Sequence, residues 1–127
     1  IAEYFDPSQF IPAVGQGALG VEARDDDGEI TELVASLNHP DSWKAVTAER
    51  AFLRALGGGC SVPMAAYGEV KGNILQISGM VIAEDGSQVF KAQIEKPVEE
   101  PEKVGQELAH EILAHGAGKL LQKEEKK

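Results

Sequence analysis

Apolar residues recur along this chain with two different periods, and the change of period divides it. Between Glu29 and Leu37 they stand at Ile30, Leu33, Val34 and Leu37, which lays a stripe down one side of a helix and predicts that this side faces a core. Asn38-His39-Pro40-Asp41 interrupts the pattern. Pro40 suits the first position of a new helix, and Asp41 puts negative charge at the positive end of its dipole. That second helix, about Pro40 to Leu56, carries Ala45, Ala48, Phe52 and Leu56 at steps of three, four and four, with Trp43 near its start as an anchor. Glu49 and Arg50, mid-helix, are expected to form a solvated or domain-facing pair.

After residue 63 the period becomes two. Met64 to Val70 leads into turn residues at Lys71-Gly72-Asn73. Ile74 to Ala83 sets Leu75, Ile77 and Gly79 against Ile74, Gln76 and Ser78, and Glu84-Asp85-Gly86-Ser87 closes a second turn. Gln88 to Glu95 alternates again, with Phe90, Ala92 and Ile94 on one side. These segments predict an antiparallel meander with one face free for packing. Lys96 to Pro101 is a connector rich in Pro and Glu. A last helix starting at Pro101 carries Val104, Leu108, Ile112 and Leu113 inward and stops at His115-Gly116, with a short restart over Gly118 to Gln122. The fold class that follows is α+β, a three-stranded antiparallel sheet with about three helices on one face.

Residues 1–24 read differently. Asp6-Pro7-Ser8 is turn chemistry, and Phe10 to Val14 is an extended apolar run with the look of a strand from another sheet. Gly15-Gln16-Gly17-Ala18-Leu19-Gly20 matches the dinucleotide-binding glycine pattern, but that pattern works only where it opens a helix. Here it leads into Val21 to Arg24 and an acidic turn at Asp25 to Gly28, so the nucleotide reading is rejected. The turn divides the chain into residues 1–24, the end of a preceding domain, and residues 25–127. Residues 1–24 are expected to be poorly ordered or held by contacts outside this chain.

Charge narrows the function. With 127 residues and a formal net charge of −9, the chain suits one modest domain and disfavours nucleic acid or an anionic membrane as partner. No apolar run approaches the length of a membrane span. One cysteine excludes an internal disulfide and any multi-cysteine metal site, and fits a reducing, cytoplasmic setting. The first residue is Ile1 rather than methionine, which suggests a fragment or a processed product.

The cysteine is Cys60, at the end of Leu56-Gly57-Gly58-Gly59-Cys60-Ser61-Val62-Pro63. A lone cysteine is most often a small buried hydrophobe, and a glycine run after a helix can be a simple cap. Against that stands its position on a side-chain-poor loop, where a bulky group could approach a reactive or covalently modified thiol. His39, His110 and His115 could in principle serve such a thiol as base, but they fall in a turn and on a helix and read as surface residues. A non-enzymatic interaction module is the other class of function to be weighed.

The residues flanking Cys60 decide between these readings. Ala48-Glu49-Arg50-Ala51-Phe52-Leu53-Arg54-Ala55-Leu56-Gly57-Gly58-Gly59-Cys60-Ser61-Val62-Pro63 resembles the signature of porphobilinogen deaminase, also called hydroxymethylbilane synthase. Pro12-Ala13-Val14-Gly15-Gln16-Gly17-Ala18-Leu19-Gly20-Val21-Glu22 resembles a second block of that family, in the same order. The resemblance implies an enzyme that joins four porphobilinogen units into a linear tetrapyrrole with loss of ammonia, on a dipyrromethane primer. It implies that Cys60 holds this cofactor through a thioether, with Gln16 and Gly59 as further cofactor-facing positions. A thiol suits the task, because it captures the electrophile left when an aminomethylpyrrole loses ammonia. The resemblance places the catalytic aspartate and the cations that hold the cofactor carboxylates in preceding domains, so no catalytic residue and no metal ligand is expected here. It further implies a monomer whose partners are porphobilinogen, the growing pyrrole chain and those preceding domains.

Overall fold

The first three helices each begin where a side chain accepts a loose amide of the helix start or where proline, having no N–H, leaves one fewer to satisfy. The computed structural model describes residues 1–57 and 62–124. Helix α1, Gly28–Ala35, is capped by Asp27, whose carboxylate accepts the Ile30 N–H at 3.2 Å. Helix α2, Pro40–Ala55, has proline in its first turn and is capped by His39, whose Nδ1 accepts the Ser42 N–H at 3.2 Å. Helix α3, Pro101–Ile112, again begins on proline. A wide turn over Leu113–Ala117, with Gly116 in the left-handed region, ends that run as the sequence predicts, and α4 follows over Gly118–Glu124.

Strands β1 (Met64–Lys71), β2 (Ile74–Ile82) and β3 (Val89–Pro97) form an antiparallel sheet in the order β1-β2-β3. Lys71 pairs with Ile74 across Gly72-Asn73, and Ile82 pairs with Val89 across the second turn. In this register Ala66, Gly79 and Ala92 stand side by side, with Gly68, Ile77 and Ile94 in the next row. That is the face the alternation assigned to the core. α2 packs on β1, α3 lies across β2 and β3, and the two helices pack against each other. Phe52, Leu75, Ile77, Val81, Leu108 and Ile112 are fully buried between the layers. Each such side chain contributes about 1.5–3 kcal/mol relative to exposure.

The helices cross on small residues. A Cβ added to Gly105 of α3 would run into the Ala48 carbonyl oxygen of α2 and stand 2.9 Å from the Ala51 Cβ. Only glycine permits that approach, and the approach seats both helices on the same sheet face.

Two expectations are corrected here. The α1 stripe faces no core in this chain: Ile30, Leu33 and Leu37 are exposed, and α1 has no buried residue. Periodicity marks an apolar face but not what covers it. Trp43 is 58% exposed and anchors nothing, because it lies off the Ala45–Ala48–Phe52 side of α2. Residues 1–24 pair with neither edge of the sheet, as expected of a segment whose strand partners lie outside this chain.

The segment does touch the domain. Lys91 Nζ donates to the Ser8 carbonyl at 2.9 Å, Ile11 is buried, and Gly15 is bonded to α2. Its own backbone bonds are confined to turns around residues 6–10 and 13–18. In the 127-residue chain, residues 1–24 should therefore exchange amide hydrogens faster than residues 74–95, whose amides lie in the ladder. Equal protection in a mass-spectrometric exchange experiment would contradict this.

Candidate functional site

The described residues on both sides of Cys60 are anchored in the core. Before it, the Leu56 N–H donates to the Phe52 carbonyl at 3.2 Å, and the Leu56 side chain is buried. Gly57 follows with φ 95° and donates to the Arg54 carbonyl at 3.0 Å, a left-handed helix stop. After it, Val62 is buried, and the Pro63 carbonyl accepts the Ile82 N–H at 3.0 Å just before β1. Gly58 to Ser61, and with them the site positions Gly59 and Cys60, lie outside the described residues.

Gln16 lies elsewhere on the surface, in a turn held by its own side chain. Its Oε1 accepts the Ala13 N–H at 3.1 Å, and its N–H donates to the Ala13 carbonyl at 3.0 Å. The turn borders an open cleft of about 270 Å³, shared with Pro12, Ser42, Glu49, Tyr67 and Gly68.

Glu49 is the residue that sequence reasoning misplaced. It does not pair with Arg50, which is exposed; it is 5% exposed and turns inward. Oε2 accepts the Gly15 N–H at 2.7 Å, and Oε1 accepts the Gly68 N–H at 2.8 Å. Burial pushes its carboxyl above the usual carboxylate range, and the two amides oppose that push by favouring the ionised form. A signal was present: Glu49 stands four residues after Ala45 and three before Phe52, on the buried stripe. A carboxylate there must find donors inside the protein.

The histidines keep the surface roles expected of them. His39 caps α2, and His110 and His115 are exposed. Among the described residues no helix is long and apolar enough to cross a membrane, and no three acidic, histidine or cysteine side chains are grouped to hold a metal ion.

Comparison with known proteins then fixes the relationship. Residues 43–114 match the family model described as porphobilinogen deaminase, C-terminal domain, and residues 1–32 match that of the porphobilinogen deaminase dipyromethane cofactor binding domain. The chain belongs to the porphobilinogen deaminase family. It is 46% identical over 122 residues to the porphobilinogen deaminase of Pelobacter propionicus, an alignment covering 96% of this chain and 39% of that one. It is 51% identical over 112 residues to that of Carboxydothermus hydrogenoformans, covering 88% and 36%. The Geobacter metallireducens protein is 47% identical over 121 residues, covering 95% and 38%. This chain thus spans under two fifths of the length of these porphobilinogen deaminases.

The charges present fit one part of what a dipyrromethane needs and not another. Its carboxylates call for free arginines and lysines. Here Arg24, Arg54, Lys71, Lys96 and Lys103 are each engaged by a carboxylate of the chain itself, at 2.6 to 3.4 Å, while Lys44, Arg50 and Lys119 stand in no such pair among the described residues. A thioether needs only a cysteine whose flanks are held, and Leu56 and Val62 hold them.

Proposed function

We propose that this chain is the cofactor-anchoring part of a porphobilinogen deaminase, the enzyme that condenses porphobilinogen into hydroxymethylbilane for tetrapyrrole synthesis. Cys60 holds the dipyrromethane through its sulfur, with Gln16 and Gly59 facing the cofactor. Residues 1–24 are the end of the preceding domain and residues 25–127 are the anchoring domain. The observation that carries this reading is the cysteine-bearing segment, matched in order with its family and tied into the core at Leu56 and Val62. When bound, the cofactor supplies the pyrrole terminus to which porphobilinogen units are added. The residues of this chain fix where that terminus starts.

The remaining partners follow. The family resemblance assigns the catalytic aspartate and the main carboxylate-binding set to the preceding domains. The exposed α1 face of Ile30, Leu33 and Leu37 supports contact with those domains. The protein works as a monomer in the cytoplasm, where a reducing medium keeps the thiol free for attachment.

Intact-mass measurement on the full-length protein tests the assignment. A pyrrole adduct should map to the peptide containing Cys60, and the 127-residue chain alone should convert no porphobilinogen. Full activity with an unmodified Cys60 would overturn the anchor role, and turnover by the isolated chain would overturn the division of labour.

A further inference from the structure

We propose that Glu49 is a positioning residue for Gln16: one buried carboxylate ties the Gly15–Gln16 turn to the end of the cleft formed by α2 and β1. The proposal rests on the reading that Gln16 faces the cofactor.

Both oxygens of Glu49 are committed, each to a different part of the chain. Gly15 lies 34 residues before it and Gly68 lies 19 residues after it. β1 is an edge strand, so its outward amides have no sheet partner, and the Gly68 amide is satisfied by Glu49. Its position is possible because α2 comes so close to β1. A Cβ on Gly68 would stand 3.2 Å from the Ala45 carbonyl oxygen, a separation few real side chains tolerate. With Oε1 fixed by β1 and the stem fixed on α2, Oε2 has one direction left to point, and the Gly15 N–H meets it at 2.7 Å.

The consequence falls one peptide further on. Gly15 has φ 70°, and the turn it belongs to is closed by Gln16 N–H to the Ala13 carbonyl and by Ala18 N–H to the Gly15 carbonyl. Of these hydrogen bonds only the one that the Gly15 N–H donates to Glu49 refers the turn to the rest of the domain, beside the packing of Val14 on the core. The Gln16 side chain spends its Oε1 on Ala13, and its Nε2 has no partner among the described residues. Glu49 lines the same cleft but commits both carboxylate oxygens to Gly15 and Gly68, so its part is to set where that Nε2 is offered. Displacing a contact group by about 1 Å is enough to cost on the order of a hundredfold in rate.

The test uses the full-length enzyme with Glu49→Gln, Gln16→Ala and the double variant. Glu49→Gln keeps size and burial but sets an NH2 against one of two N–H donors, so one tie is lost. Gln16→Ala should lower kcat by roughly ten- to a hundredfold, Glu49→Gln should lower it comparably, and the double variant should be no worse than Gln16→Ala alone. Hydrogen exchange should show faster amide exchange confined to residues 13–18 in Glu49→Gln. Additive losses in the double variant would mean that Glu49 acts only through stability, which overturns the proposal while leaving the Gln16 reading intact. No loss in Gln16→Ala would overturn both. Should Glu49→Gln not fold, Glu49→Asp keeps the charge but is too short to reach both amides, and the same cycle applies.

Discussion

Full-length Cys60→Ser folds, carries no pyrrole adduct and loses nearly all polymerisation, on the order of a hundredfold or more. The fold survives because the core holds Leu56 and Val62, and neither is changed. A hydroxyl is close to a thiol in size, so the loop has no new volume to accommodate. Chemistry, not packing, separates the two residues. A thiol with an ordinary pKa of about 8.5 is a few per cent thiolate at pH 7, whereas a serine hydroxyl offers essentially no alkoxide without a base. Circular dichroism and thermal melting report the fold, intact mass the adduct, and a porphobilinogen-consumption assay the activity. An adduct on the serine variant, or wild-type turnover without one, would contradict the expectation.

Gly105→Ala should destabilise the 127-residue chain by about 2 kcal/mol, although alanine is the better helix former. Two effects oppose each other at this position. Replacing glycine inside a helix gains about 1 kcal/mol of helix propensity. The added methyl, however, points at the Ala48 carbonyl oxygen and the Ala51 Cβ, and these belong to a backbone and a stub that no rotamer change can move aside. Overpacking of a core typically costs about 1–3 kcal/mol even when flexible side chains yield, so the clash wins. α3 must shift off α2, which opens the layer around Phe52 and Leu108. Gly28→Ala is the control, since a Cβ there meets nothing within 4 Å, and its midpoint should move by less than about 0.5 kcal/mol. Urea midpoints for the two variants decide the matter, and an unchanged Gly105→Ala midpoint would show that the helices have room to separate.

Much of this architecture is legible in the sequence because it rests on short-range periodicity. The alternation through Leu75, Ile77 and Gly79 gives the buried sheet face, and the steps through Ala45, Ala48, Phe52 and Leu56 give the buried helix side. What stays hidden depends on partners far along the chain. The stripe of α1 is as regular as that of α2, yet none of the described residues buries it. Glu49 looks like half of a surface pair until Gly15 and Gly68 are seen to converge on it. For the thiol itself the family motif carries the reading, since Gly58 to Ser61 lie outside the described residues.

The helix crossing also bears on how the domain is made. α2 ends at residue 55 and α3 begins at residue 101, so the two halves of the crossing are separated by the entire meander. The hairpins can pair early from near neighbours, but the layer that covers Leu75, Ile77 and Val81 cannot close before α3 is available. During synthesis the sheet therefore waits with its apolar face open until about residue 112 has left the ribosome. A chain cut short between residues 97 and 112 has all three strands but lacks the helix that covers them, and presents them to chaperones and to one another.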